Sequence, residues 1–125
     1  MAERRIRISA GDVVVSAELD DTDAANRLWD ALPVQGNANK WGDEVYFSVG
    51  IDADLDETAQ ETVELGAVGY WPPGDALCLF FGPTPMSVGD EIRPASAVNI
   101  LGMIEGDSTV LKAVADGTPI TVEAE

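Results

Sequence analysis

The run Ala76-Leu77-Cys78-Leu79-Phe80-Phe81 constrains this chain more than any other stretch, because it is apolar throughout and fenced by turn residues. Pro73-Gly74-Asp75 precede it and Gly82-Pro83 follow it, which leaves room for a strand and too little for a helix. A strand that is apolar on both faces must be covered on both, as in a barrel wall with a loop or helix laid over its outside. Just upstream stands Tyr70-Trp71-Pro72-Pro73. Each proline lacks an N–H and fixes φ, and the residue before each is pushed toward extended backbone. The expectation is a stiff loop outside regular strand or helix, presenting or burying two large rings.

The rest of the chain reads as short strands with two helical pieces. Arg5-Ile6-Arg7-Ile8-Ser9 alternates polar and apolar residues, Gly11-Asp12 turns, and Val13 to Leu19 returns, giving an opening hairpin. Asp20, Asp21 and Thr22 offer N-cap oxygens, Asp23 suits the first helical turn, and Ala25, Leu28, Trp29 and Leu32 form one helical face that Pro33 ends. Val34 to Ala38 is a short strand candidate. After the turn Trp41-Gly42-Asp43, a strand from Glu44 to Val49 puts Val45, Phe47 and Val49 on one face and Glu44, Tyr46 and Ser48 on the other. Asp52 to Glu61 reads as an acidic loop or irregular helical turn, and Thr62 to Leu65 as extended. Val88 to Glu91 is a turn and Ile92 to Ala95 a loop. Val98 to Ile104 is a strand and Glu105-Gly106-Asp107 a turn. Asp107-Ser108 cap a short helix carrying Val110, Leu111 and Val114, stopped by Gly117, and Ile120 to Glu123 is a closing strand. This order predicts a single domain over residues 1–125, mainly β, a closed antiparallel barrel of about eight strands capped by one clear and one short helix.

Composition narrows the function classes. The net charge is −16, the lysines are Lys40 and Lys112, and the remaining basic residues give no patch beyond Arg4, Arg5 and Arg7, which argues against nucleic acid and against anionic membranes. No stretch nears the roughly 20 apolar residues of a membrane span, and the start MAERRIRIS has no apolar signal core. One cysteine fits a reducing compartment, so the expected location is cytoplasmic. Histidine is absent, which removes imidazole metal sites and histidine-based nucleophile pairs. Cys78, mid-run among leucines, reads as a packing residue. Asp52-Ala53-Asp54-Leu55-Asp56-Glu57 imitates the start of a calcium loop, but its sixth position is Glu57 where glycine is needed and its twelfth is Val63 where glutamate is needed. The expectation is therefore no metal and no cofactor.

Several segments together resemble one family. Trp41-Gly42-Asp43-Glu44-Val45-Tyr46-Phe47, Gly69-Tyr70-Trp71-Pro72-Pro73-Gly74, Ala76 to Gly82, Thr84-Pro85-Met86 and Pro94-Ala95-Ser96-Ala97-Val98-Asn99 look like motifs of the small prokaryotic cyclophilin-like domains, mostly uncharacterised proteins. The resemblance covers essentially the whole chain and implies an eight-stranded barrel with two closing helices. Cyclophilins proper isomerise X–Pro bonds with an arginine in a Phe-His-Arg segment after the first helix. The matching stretch here, Pro33-Val34-Gln35-Gly36-Asn37-Ala38, holds none of the three, so prolyl isomerase activity is not expected; Arg93, on another loop, is the alternative arginine for that space.

The candidate ligand-binding residues are Trp41, Glu44, Tyr46, Tyr70, Trp71, Phe81, Ser96 and Asn99. Aromatic rings on stiff proline loops form apolar concavities at little ordering cost, and the carboxylate, hydroxyl and amide groups supply polar anchors. Glu44 and Glu64 would bind a cation or share a proton if both faced one pocket. The opposing reading is that the rings only fill and clamp the barrel. The expected function is a binding module for a small molecule or an extended peptide. The alternatives are a residual prolyl isomerase, a hydrolase using Glu44 or Glu64, and a homo-oligomeric interaction protein.

Overall fold

The computed structural model describes residues 4–125. The chain opens with β1 (Arg4–Ala10) and β2 (Val13–Leu19), paired antiparallel in register from Arg4↔Leu19 to Ala10↔Val13. Alternation sends Ile6, Ile8, Val15 and Ala17 into the core and the intervening polar residues outward. Helix α1 (Asp23–Ala31) follows; Thr22 Oγ1 accepts from the Ala25 N–H at 3.2 Å, and Asp23 sits in the first turn, where the helix dipole favours a negative charge. Ala24, Ala25 and Leu28 are buried, so the helix closes one end of the barrel, while Trp29 stays at its rim under the Arg4 guanidinium, 5.9 Å from the ring centre.

Then come β3 (Val34–Asn37), β4 (Asn39–Lys40), β5 (Glu44–Ser48), β6 (Ala67–Trp71), β7 (Ala76–Phe80), β8 (Asn99–Glu105), a short 3-10 helix (Ser108–Ala113) and β9 (Pro119–Ala124). All pairings are antiparallel, in the order β3-β9-β1-β2-β8-β6-β7-β5-β4. The two strands at the ends of that order are consecutive in the chain, separated by Ala38 alone. The Ala38 N–H donates to Thr118 O at 2.8 Å and its carbonyl accepts from Gly117 N–H at 2.7 Å, so one bent segment serves β9 with its first half and β5 with its second. The result is a nearly closed barrel of nine strands. The expected count of about eight falls short because this bend divides one segment into two strands.

Three local expectations change. Tyr70 and Trp71 belong to β6, and only Pro72–Gly74 leaves the strand, as a single 3-10 turn. Extended backbone is the conformation that a following proline enforces, so the strand runs up to Pro72 without conflict. Thr62 to Leu65 pairs only through the isolated bridge Val63↔Ile92. The second helical piece is 3-10 rather than α, its first turn capped by Asp107 accepting from Thr109 N–H at 3.0 Å. It ends at Ala113, ahead of Gly117.

The apolar run behaves as a doubly covered strand. Leu77 and Leu79, with Phe81 just past the strand, belong to the barrel interior together with Ile6, Phe47 and Leu101. Ala76, Cys78 and Phe80 point the other way, into a second cluster outside the barrel with Val63, Ile92 and Val98. That outer cluster positions the candidate site.

Candidate functional site

Strand β5 carries the same alternation. Val45 and Phe47 face the barrel interior, and Glu44 and Tyr46 stand on the outer face opposite Phe80 and Cys78 of β7. A flap covers this outer face. Gln60 and Val98 exchange backbone hydrogen bonds of 2.9 and 3.0 Å, and Val63 N–H donates to Ile92 O at 2.9 Å, which clips the 60–63 and 92–98 segments together.

Where the flap meets β5 and the end of β6 there is a cavity of about 250 Å³. Trp41, Tyr46 and Trp71 supply aromatic surface to it, Pro94, Ala95 and Val98 come from the flap, and Glu44 is its one carboxyl group. Trp71 is fixed from two sides. Its indole N–H donates to Ser96 Oγ at 2.6 Å, and the ring lies so close to Gly74 that a Cβ there would come within 2.8 Å of ring carbons Cε3 and Cζ3. Trp41 is held by its turn, with its N–H donating to Glu44 O at 3.0 Å and the Asp43 N–H to Pro83 O at 3.0 Å.

Glu44 is only 5% exposed, and its Oε1 is buried without a hydrogen-bond partner. Burial pushes its carboxyl up to about 7, with the neighbouring Cys78 thiol acting the other way. Burial, with the neighbouring Glu44 carboxyl, likewise pushes the Cys78 thiol well above the ordinary thiol range, which keeps it protonated and unreactive. A buried carboxyl left partly unsatisfied is uncommon and costly, and such groups concentrate at sites with chemical or binding roles.

Of the candidate residues, Trp41, Glu44, Tyr46 and Trp71 line this cavity, and Ser96 stands behind it, orienting Trp71. Tyr70, Phe81 and Asn99 are placed elsewhere. The Tyr70 side chain is in the barrel core; its hydroxyl donates to the Asp75 carboxylate and accepts from Ala53 N–H at 3.1 Å. Burial first, and then the Asp75 carboxylate, push that phenol up to about 12. Burial raises Asp75, but the bonds it accepts from Tyr70 and from the Asp52 and Ile51 amides outweigh this and leave it below the usual carboxylate range. Asn99, fully buried, accepts from Asp56 N–H and donates to Asp54 O, each at 2.8 Å, and so ties down the acidic loop. Phe81 fills the barrel.

Glu64 is exposed beside Ala67 and Met103, apart from Glu44, so the two carboxylates do not share a pocket. Arg93 pairs with Glu91, Nε to Oε2 at 2.6 Å, and lines a second depression with Glu61, Met86 and Ala97. No group of three or more potential metal-ligating side chains occurs among the described residues. Sequence reasoning missed Pro94, Ala95 and Val98 as cavity walls. The available signal was a proline and small residues leading into Val98, consistent with a loop lying flat on a packed surface.

A family model described as Cyclophilin-like matches residues 4–123. The chain belongs to the cyclophilin-like family. This cyclophilin-like domain is similar to the hypothetical protein AF2241 of Archaeoglobus fulgidus, known from a solution structure, with 44% identity over 98% of this chain and 95% of that one and a TM-score of 0.83. No curated protein matches it. Within the cyclophilin-like frame, the stretch compared above with the isomerase arginine segment forms β3, with Val34 buried, Gln35 and Asn37 exposed and Gly36 half-buried between them. No helix among the described residues is long and apolar enough to cross a membrane.

Proposed function

We propose that this cyclophilin-like domain is a binding module, taking a small ligand or one side chain of a peptide in the cavity between β5, the end of β6 and the 92–98 flap. The observation that carries the reading is the buried, unpartnered Glu44 oxygen at a cavity whose other walls are apolar and aromatic. At about 250 Å³ the space is smaller than the roughly 300–1,000 Å³ of sites for drug-sized ligands, so it suits a headgroup or a single side chain. The single, buried cysteine and the acidic surface are consistent with a reducing, cytoplasmic setting.

A thermal-denaturation screen against metabolites, cations and short peptides tests this. A ligand present at about 100 times its Kd stabilises by about 2.7 kcal/mol, a rise of about 8 °C for a domain of this size. The rise should disappear in Trp41→Ala and in Glu44→Gln. Hits that survive both substitutions would place binding elsewhere and overturn the assignment of this cavity.

A further inference from the structure

The cavity restricts the charge of its ligand as well as its size. No lysine or arginine lines it, so a ligand carboxylate or phosphate would find no cationic partner among the lining residues and would stand beside the Glu44 carboxyl. The lysine nearest in sequence, Lys40, is turned to the Lys112 carbonyl, 3.2 Å away, and to the Phe81 ring. Trp71 has spent its indole N–H on Ser96, so it offers the ligand ring surface rather than a donor. Aromatic faces carry negative electrostatic potential, and a buried carboxylate oxygen without a partner is an acceptor waiting for a donor or a positive charge.

We propose that the ligand is an organic cation, an ammonium group carrying alkyl substituents, seated among Trp41, Tyr46 and Trp71 with Glu44 as its counterion. This deepens the binding reading above and rests on it. The net charge of −16 adds long-range attraction for cations and opposes anions. Two sources carry such a group, a free quaternary or alkylated amine and an alkylated lysine side chain. The second depression, about 290 Å³, shares Pro94 and Ala95 with the cavity and is where the remainder of a peptide would run.

The cation requires the ionised carboxylate. The titratable group that acts on Glu44 is the Cys78 thiol from β7; Tyr46 of β5 lines the same cavity, and Trp41, Trp71 and the flap residues Pro94, Ala95 and Val98 contribute no titratable group. With the Glu44 carboxyl at about 7, cation affinity should rise about tenfold between pH 6 and pH 8 as the proton leaves.

The test is a pair of titrations with choline and its uncharged counterpart of the same shape, 3,3-dimethylbutan-1-ol. Two of the three tryptophans line the cavity, so indole fluorescence and indole NH resonances read its occupancy. Choline should bind at least about tenfold more tightly than the alcohol at pH 8, lose about tenfold by pH 6, and lose both its advantage and its pH dependence in Glu44→Gln, with alcohol affinity unchanged. Equal affinities, indifferent to Glu44→Gln but lost in Trp41→Ala, would overturn the cation assignment and leave the cavity as a binding site. Binding of neither probe, while another ligand raises the melting midpoint in a Glu44-dependent way, would overturn it too. An absence of any ligand would sink both readings. Trimethyllysine, free and within a short peptide, separates the sources: a peptide at least about tenfold tighter identifies a protein side chain, and equal affinity identifies a free amine.

Discussion

Replacing Gly102 with alanine is expected to destabilise the barrel by about 3 kcal/mol. Gly102 pairs with Leu19, and a Cβ added there would stand 2.0 Å from the Glu18 carbonyl oxygen and 3.0 Å from its carbonyl carbon. The obstacle is backbone of the neighbouring strand, which cannot rotate aside as a side chain would. The register on the other side of β8 also shifts here, from Val68↔Gly102 to Gly69↔Ile100, with Leu101 as the extra residue. The bulge holds β8 against two neighbours at once. Relief of the clash on β2 would therefore have to be made at the expense of β6. Urea denaturation of the wild type and the variant measures the effect; a loss below about 1 kcal/mol would show that β2 and β8 can part locally.

The second large effect is expected at Glu44, and its sign reverses the usual behaviour of a structural carboxylate. Burial holds this group at about 7 in the folded protein, against 4.5 for the free side chain, so the folded state keeps the proton where the unfolded state has released it. Its contribution is fully present below pH 4.5, is lost as pH rises through 7, and then stays lost. The interval corresponds to about 3 kcal/mol. Glutamine has nearly the same shape and cannot ionise, so Glu44→Gln should match the wild type near pH 4 and exceed it at pH 8 by about 3 kcal/mol, or about 10 °C in melting midpoint. Asp75 acts in the opposite sense and at lower pH, since its carboxyl is depressed in the folded protein and its stabilisation fades on acidification. Parallel stability–pH curves for wild type and Glu44→Gln between pH 5 and 8 would show that the folded protein solvates this carboxyl well.

What the sequence makes legible follows from periodicity. The opening hairpin, α1 with its Thr22 cap, the face alternation of β5 and the double burial of β7 all follow from spacing and turn residues, because short-range sterics and burial decide them. The division of residues 34–40 into two strands does not, since it depends on which distant edges the two halves meet. The site divides in the same way. Glu44 and Tyr46 share a strand face that alternation reveals, and Trp41 stands beside them in the turn that leads into β5, whereas Trp71 joins them only because β5 and β6 are both bonded to β7 and the flap folds back over all three. Tyr70 and Asn99 looked like ligand groups by residue type. The Asn99 amide is taken up by loop amides and carbonyls more than 40 positions away, and the Tyr70 hydroxyl by the Asp75 carboxylate and the Ala53 amide, 17 positions off, which no local pattern displays. The orphaned oxygen of Glu44 is likewise a three-dimensional fact, visible only once Phe80 and Cys78 stand across from it.

The pairing of β1 with β9 has a mechanical consequence. Ile6 faces Ala124, Ala10 faces Ile120, and the Glu125 N–H donates to Arg5 O at 2.9 Å, so the two ends of the described chain leave the barrel side by side. A pulling force applied between them runs across this ladder rather than along it, and loads the hydrogen bonds one after another, as in a zipper. Force applied between residue 5 and the Gly89 turn would load several strand pairs together. In an optical trap the first geometry should yield at clearly lower force than the second, and equal forces would show that the barrel gives way as one unit. The seam between the ends is the domain's compliant line, and the cavity lies on strands away from it.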